Sequence, residues 1–393
     1  MKKISWPKYA FMGALVAVVI AVGLVKVFDT SAPSGESKKA VPPTTVATAP
    51  LNLATDSTSD STTTTSPTTT TSTTVVSGGL ITSGPSRREC LVANVNGTGL
   101  SALQSAITNF DVITGTTVSC VSTYLNGAPN WSAWEHPWVA LSRYGYSSWV
   151  AEAPQGRQLI LEVDLIPSDL KNTLNPLSWE RSCANGSFNS HATVLGTSLV
   201  KAGLQNSVIR LGAEMNGTWE SDFVGWTTLE QKLWASCFAN EVTALRQASG
   251  EHFLFDWNPN ACKYNIPFSN YYPGNSYVDI VGLDLYDVSC VAPKTPYSFS
   301  ELANEPLGLS SLESFATAHG KSMSLPEWGL SSIPAGDDPN FIIGIGSTIK
   351  NDDFGFETYF DGTGKNYKAL QIGSRTPLSL AAFHKWFGHD FNP

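Results

Sequence analysis

From residue 86 onward the chain alternates short runs of apolar, β-branched residues with longer segments whose apolar residues recur at helical spacing. Eight runs are predicted to be strands: 90–95, 118–124, 158–165, 207–213, 252–257, 278–283, 322–326 and 354–360. Helices are predicted between and after them, at 100–110, 139–153, 190–204, 228–248, a short piece near Pro267, 310–319, 339–350 and 377–387. Strands that are apolar on both faces and separated by helices are typical of a parallel sheet.

Eight repeats of strand and helix favour an α/β fold of the closed (β/α)8 TIM-barrel type. An open, doubly wound sheet is the alternative. No Gly-x-Gly-x-x-Gly follows the first strand, and the sequence contains no phosphate-binding loop. These absences weaken the nucleotide-binding version of the open sheet.

The N-terminal segment, residues 1–29, has the pattern of an export signal. Lys2, Lys3 and Lys8 precede an apolar run at 9–25, which Lys26 closes. The run is at the short end of what spans a bilayer. We predict an uncleaved signal anchor, because no small-x-small cleavage site follows closely; a cleaved signal peptide is the alternative. The basic residues before the run would keep the N-terminus in the cytoplasm and place the rest at the cell surface.

Residues 30–85 are predicted to be a disordered linker. The segment is rich in Ser, Thr and Pro and contains no aromatic residue, so it cannot bury enough apolar area to offset the entropy of ordering. An O-glycosylated stalk and an unmodified spacer both fit this composition. The predicted organisation is therefore an anchor at 1–29, a linker at 30–85 and a catalytic domain at 86–393.

Charge and cysteine content narrow the functional classes. The net charge of -9 argues against nucleic acid as a partner, for which a basic patch is expected. All six cysteines lie after the linker, which favours disulfides, and the absence of Cys-x-x-Cys argues against zinc. We hypothesise local pairing, since each pair would join neighbouring units: Cys90–Cys120, Cys183–Cys237 and Cys262–Cys290. No metal or cofactor is predicted, and we expect a monomer.

Acidic residues occur at or near the C-terminal ends of the predicted strands, where (β/α)8 barrels carry their active sites. They are Asp164, Glu214, Asp256, Asp284, Glu327 and Glu357. Glu214 and Glu327 end the fourth and seventh strands, and each has a tryptophan nearby. Retaining glycosidases use two carboxyl groups about 5–5.5 Å apart, and these two strands can present a pair across the barrel mouth. The pair predicts cleavage of a glycosidic bond.

Three motifs together resemble glycoside hydrolase family 26, which contains β-mannanases and some mixed-linkage β-glucanases. They are Arg-Leu-Gly-Ala-Glu-Met-Asn-Gly-Thr-Trp at 210–219, Tyr-Tyr-Pro-Gly-Asn-Ser-Tyr-Val-Asp-Ile-Val-Gly-Leu-Asp-Leu-Tyr at 271–286, and Pro-Glu-Trp-Gly at 326–329. The resemblance extends over roughly residues 90–386. It implies a (β/α)8 barrel and a retaining mechanism with Glu214 as acid/base, Glu327 as nucleophile, and Tyr286 hydrogen-bonded to the nucleophile.

One position departs from the family pattern. Most mannanases of the family have a histidine just before the acid/base, where it helps to contact sugar hydroxyls, whereas this chain has Ala213. The departure leaves the polysaccharide open between β-mannan and β-glucan types. It also keeps open a non-catalytic, cell-surface carbohydrate-binding protein on a hydrolase-like barrel, and a structural cell-wall protein.

Other residues are candidates for contact with a polysaccharide. Trp219, Trp257 and Trp328 fall in predicted post-strand loops, where indole faces can stack on pyranose rings; tryptophans that staple loops to the barrel are the alternative. Asn216 can donate hydrogen bonds to hydroxyl groups or serve as a turn residue. Arg210 is expected to pair with Glu327 or Asp164, either within the site or as a structural ion pair.

Overall fold

The computed structural model describes residues 80–83, 88–125, 127–173, 176–261, 264–288, 298–331, 336–362, 367–368, 370 and 375–389. The predicted anchor at 1–29, and the predicted linker apart from residues 80–83, lie outside these ranges. Within the described residues no helix has both the length and the apolar character needed to cross a bilayer. Ile81 is buried, and its backbone N–H donates to Gln158 Oε1 at 2.6 Å, so the packed part of the chain includes residues before 86.

The described residues form ten strands: β1 Arg88–Val92, β2 Cys120–Tyr124, β3 Gln158–Val163, β4 Val208–Leu211, β5 Leu254–Trp257, β6 Ile280–Gly282, β7 Leu285–Tyr286, β8 Ser322–Ser331, β9 Phe354–Phe360 and β10 Tyr367–Lys368. Strands β1 to β6, β8 and β9 pair in parallel in that order, and β9 pairs with β1 to close the barrel. The predicted (β/α)8 fold is confirmed, and each of these eight strands lies at a predicted position.

The α-helices are α1 Leu100–Thr114, α2 Trp131–Glu135, α3 Tyr146–Glu152, α4 Ser168–Thr173, α5 Pro176–Ala184, α6 Asn189–Lys201, α7 Thr228–Leu245, α8 Phe299–Ala303, α9 Leu309–His319, α10 Pro339–Asn351 and α11 Pro377–Phe387; Val139–Arg143 is π-helical and Phe268–Asn270 is a 3-10 turn. The sequence pattern missed α2, α4, α5 and α8. Helices α2 and α8 are stabilised at their N-termini by local hydrogen bonds, because Asn130 caps α2 and Ser298 forms a capping box at α8.

The predicted helix at 139–153 is interrupted. Gly145 has φ 76°, a left-handed conformation that ends the π-helical turn before α3 begins. A β-carbon at this position would lie 2.5 Å from the backbone of Leu100. The interruption follows from a close approach between two parts of the chain, which helical periodicity does not reveal.

The barrel interior changes from apolar to polar along the strands. Its apolar layer consists of Ile81, Cys90, Cys120, Ile160, Val208, Ile280 and Phe356. Alternate residues of a strand point to the same face, so Glu162 follows Ile160 into the interior and Arg210 follows Val208. These two strands therefore carry a charged side chain inward toward their C-terminal ends.

Two disulfides support this architecture. Cys90–Cys120 joins neighbouring residues of β1 and β2, and Cys183–Cys237 joins α5 to α7. Both predicted local pairs are confirmed. The third predicted pair, Cys262–Cys290, lies outside the described residues.

Candidate active site

Glu327 lies in β8, at the centre of a set of hydrogen-bond donors. The hydroxyl of Tyr286 donates to its Oε1 at 2.5 Å, and the hydroxyl of Tyr124 donates to its Oε2 at 2.7 Å. Burial, followed by the charge of Glu327, raises the pKa of Tyr124 well above its usual value, so this hydroxyl keeps its proton and acts as a donor. Each carboxylate oxygen of Glu327 is thereby oriented by a separate tyrosine.

Arg210, in β4, supplies positive charge beneath Glu327. Its fully buried guanidinium contacts Asp284 at 2.6 Å, Glu162 at 3.2 Å and Glu327 at 3.7 Å. Its Nε also donates to Asn258 Oδ1 at 3.0 Å. Burial alone would lower the pKa of Arg210, but these carboxylates outweigh that effect and raise it. The expected contact with Glu327 is present, although the strongest ion pair is with Asp284.

Glu214 lies in the turn after β4 and has φ 51°, a conformation that non-glycine residues adopt at an energetic cost. Its backbone N–H donates to the carbonyl oxygen of Asn258 at 2.8 Å. Two side chains donate to its carboxyl group, Trp219 through Nε1 and Asn260 through Nδ2, each at 2.6 Å. The surroundings thus fix both the strained backbone and the carboxyl group.

The electrostatic environment of Glu214 favours its protonated form. Burial raises its pKa and the charge of Glu327 raises it further, whereas the hydrogen bonds from Asn260 and Trp219 and the charge of Arg210 lower it. A carboxylic acid with a raised pKa beside an oriented carboxylate is the usual division between a general acid and a nucleophile. This geometry can protonate one side of a bond while attacking the other.

Three further carboxyl groups, of Glu162, Asp164 and Glu220, have oxygen atoms within 4.8 Å of one another. Burial, together with the charges of Glu162, Asp164, Glu214 and Asp222, raises the pKa of Glu220 to about 11. A second cluster with metal-ligand spacing contains Cys183, Cys237 and Glu241, but its cysteines form a disulfide. We assign a metal to neither cluster.

The candidate tryptophans divide into one at the site and two in the core. Trp219 is 42 % exposed and contacts Glu214. Trp257 and Trp328 are fully buried. The ring centroid of Trp257 lies within 5.8 Å of the ring centroids of Phe268, Tyr271, Tyr272 and Phe315. The indole N–H of Trp328 donates a hydrogen bond to Glu357. The expectation that they stack on sugar is corrected, because neither has a face open to a ligand.

Asn216 is also fully buried and connects two loops of the site. Its side chain accepts from the backbone N–H of Asn260 and donates to the carbonyl oxygen of the same residue, both at 2.8 Å. Because Asn260 in turn donates to Glu214, Asn216 positions the Glu214 carboxyl group indirectly. We replace its predicted role as a donor to sugar hydroxyls with this positioning role.

Sequence reasoning missed Tyr124, Asn260 and Glu162. Tyr124 is the last residue of a predicted strand, so its location at a strand end was a usable signal. Glu162 lies two residues after Ile160 on the inward face of β3, a pattern that also was visible. Asn260 gave no such signal, because its contact with Glu214 depends on how two loops meet.

Replacing Trp219 with phenylalanine is expected to move the basic limb of the kcat/KM profile to higher pH. The Nε1–H bond stabilises the charged form of Glu214, so its loss raises the pKa of this group. A general acid at this position, which the family resemblance implies, would then stay protonated to higher pH. Trp138→Phe is the matched control, since Trp138 is also 42 % exposed. A basic limb that stays in place or moves to lower pH would contradict the expectation that Glu214 is the general acid.

Comparison with known proteins agrees with the resemblance of the motifs. The model for glycosyl hydrolase family 26 matches residues 104–321, more than half of the 393-residue chain. No curated protein sequence matches the chain.

Solved structures resemble the fold at low sequence identity. The GH26 β-mannanase of Bacteroides ovatus has a TM-score of 0.54 at 14 % identity, covering 81 % of this chain and 92 % of that one. A modular endo-β-1,4-mannanase of Cellulomonas fimi has a TM-score of 0.52 at 15 % identity, covering 80 % and 71 %. The GH26 endo-β-1,4-mannanase domain of Bacillus sp. JAMB-750 has a TM-score of 0.51 at 19 % identity, covering 77 % and 85 %. The closed parallel barrel and the family match together establish that this chain belongs to glycosyl hydrolase family 26.

Proposed function

We propose that the protein is a retaining glycoside hydrolase that cleaves a β-linked polysaccharide of the β-mannan or β-glucan type. The observation that carries the proposal is the contrast between two neighbouring carboxyl groups. Tyr124 and Tyr286 hold Glu327 from both oxygens, while burial raises the pKa of Glu214. Membership of the family supports a glycosidase of β-mannan type.

In the proposed first step, an oxygen of Glu327 attacks the anomeric carbon and forms an ester with it. The bond from that carbon to the glycosidic oxygen breaks, and Glu214 transfers its proton to this oxygen as the leaving sugar departs. In the second step Glu214 takes a proton from water, the water oxygen attacks the anomeric carbon, and Glu327 leaves as a carboxylate. The product is a reducing sugar with the starting anomeric configuration.

We also propose that the barrel acts outside the cell. The basic residues and apolar run at 1–29 favour export, and the two disulfides, Cys90–Cys120 and Cys183–Cys237, are typical of an oxidising compartment. Protease treatment of intact cells tests this location: digestion of the barrel is expected, and protection of the barrel until the cells are lysed would contradict it.

The function is tested by incubating the protein with galactomannan, mixed-linkage β-glucan and xylan while following reducing ends. Release from one of the first two is expected, and proton NMR of the first product should show the retained anomer. An inverted first product would contradict the double displacement. Binding without release of reducing ends would favour the non-catalytic carbohydrate-binding alternative, which Ala213 keeps open.

A further inference from the structure

Three aromatic side chains form a surface cluster on the loops that follow β4 and β5. Trp226 is 60 % exposed and Tyr264 is 43 % exposed, and Phe223 is half-buried beneath them. The ring centroids of Trp226 lie 4.8 Å from Phe223 and 4.9 Å from Tyr264. We call these three residues the aromatic platform. Large exposed aromatic groups that pack together at the surface mark interaction sites more often than isolated ones do.

The platform is continuous with the side of the site that carries the acid. The hydroxyl of Tyr264 is 3.0 Å from Thr218 Oγ1, and the next residue, Trp219, donates to Glu214 at 2.6 Å. Both loops that bear the platform also bear groups that contact Glu214, through Trp219 and Asn260. The platform is therefore linked to Glu214 by the contact between Tyr264 and Thr218 and by the two loops that it shares with Trp219 and Asn260.

The backbone holds the platform in place. Tyr264 and Asn265 are consecutive non-glycine residues with φ 57° and 46°, and strain of this kind persists where the surrounding structure enforces it, often at ligand sites. The backbone N–H of Trp226 donates to Glu230 at 2.9 Å, in the capping box at the start of α7. Trp226 is thus attached to a helix end rather than to a free loop.

We propose that the aromatic platform binds sugar residues of the leaving group, beyond the sugar directly attached to the scissile bond. This inference rests on the proposed function, in which Glu214 protonates the departing oxygen, so the leaving-group chain extends on the Glu214 side. Uncharged aromatic faces stack on the C–H faces of pyranose rings. The platform rings carry no charge, so a neutral β-linked polysaccharide is the ligand that they suit.

The proposal separates substrates by the length of their leaving group. An aryl glycoside places only its aryl group on the Glu214 side and cannot reach the platform. A polysaccharide extends across it. Binding energy from the platform therefore lowers the barrier for the polymer and leaves the aryl glycoside unaffected.

Trp226→Ala is expected to lower kcat/KM for the hydrolysed polysaccharide about tenfold, the loss of one stacking contact, and to leave kcat/KM for an aryl glycoside within about twofold. Trp226→Phe should recover most of the loss because it keeps an aromatic face. Trp138→Ala is the matched control, since Trp138 is a comparably exposed tryptophan outside the platform, and it should leave both substrates unchanged.

An equal loss on both substrates would overturn the proposal, because it would mean that Trp226 acts by supporting the acid loop. Unchanged turnover of both would also overturn it. If the wild-type protein hydrolyses none of the polysaccharides, the proposed hydrolase function is wrong, but the platform can still be tested. Electrophoretic retardation in gels containing galactomannan or mixed-linkage β-glucan then measures whether the platform binds polysaccharide. Weaker retardation of Trp226→Ala than of the wild type supports sugar binding by the platform. Equal mobility of the two proteins overturns it, whether both are retarded or neither is.

Discussion

Replacing Glu327 with glutamine is expected to lower kcat by about 10⁴-fold or more, because an amide cannot form the covalent glycosyl intermediate. The substitution is nearly isosteric, and the amide oxygen can still accept from Tyr124 or Tyr286, so the thermal midpoint should change little. Turnover of polysaccharide, measured beside the unfolding transition, separates a chemical effect from a structural one.

Glu357→Gln is the control, because Glu357 is also a buried carboxyl group in a barrel strand, β9, but accepts a hydrogen bond from the buried Trp328. Its turnover per folded molecule should stay within about tenfold of the wild type. Adding azide to a Glu327→Ala variant should restore turnover and yield a glycosyl azide of inverted configuration, since the anion attacks in place of the missing carboxylate. Wild-type turnover in Glu327→Gln would end the assignment of Glu327 as nucleophile.

Replacing Arg210 with methionine is expected to cost about 3–5 kcal/mol of folding free energy, the typical effect of removing one partner from a buried ion pair. The substitution leaves Asp284, Glu162 and Glu327 without the cation that they contact at 2.6, 3.2 and 3.7 Å. Denaturant unfolding measures the loss. Catalysis should also fall, because the charge beneath Glu327 is gone.

The deficit of Arg210→Met should grow as pH rises. Burial already raises the pKa of Glu162, and Arg210 opposes that rise; without the arginine the folded pKa rises further. A group with a raised folded pKa favours the native state below its unfolded value, about 4.3, and loses that contribution as pH rises through the folded value. The two proteins should therefore differ least below the folded pKa of Glu162 in the wild type and increasingly above it, which unfolding measured over a pH series that begins at about pH 5 tests.

Arg246→Met is the matched control. Arg246 pairs with Asp279 at 3.1 Å, but both side chains are partly exposed, so its loss should cost less than about 1 kcal/mol. A similar cost for the two arginines, or no pH dependence of the Arg210 deficit, would show that the buried carboxyl groups do not depend on this cation.

Much of the fold was predictable from local pattern. Eight apolar runs and the helical segments between them became eight parallel strands and their helices, because strands buried on both faces need helices to cover them. The short helices α2 and α8 were missed, since five residues show too little periodicity and their stability comes from caps. The break at Gly145 was missed because its cause is the backbone of Leu100, far away in the sequence.

For the candidate site, the sequence predicted the residues that carry charge but not the directions of all the side chains. Glu214 and Glu327 stood out as carboxyl groups at strand ends, and Arg210 and Tyr286 were named through nearby motifs. Trp257 and Trp328 were assigned to the sugar cleft because they follow strands, yet their rings turn into the core. A position after a strand does not determine the direction of a side chain.

By itself, the sequence determined the barrel and the two carboxyl groups that could perform its chemistry, because these depend on periodicity and residue type. Only the tertiary structure decided that Tyr124 shares Glu327 with Tyr286, that Asn260 and Trp219 hold Glu214, and that an aromatic cluster lies on the loops next to Glu214. Tyr124 and Glu327 are 203 residues apart. Such contacts depend on strand register and loop packing, which bring together residues that no local pattern connects.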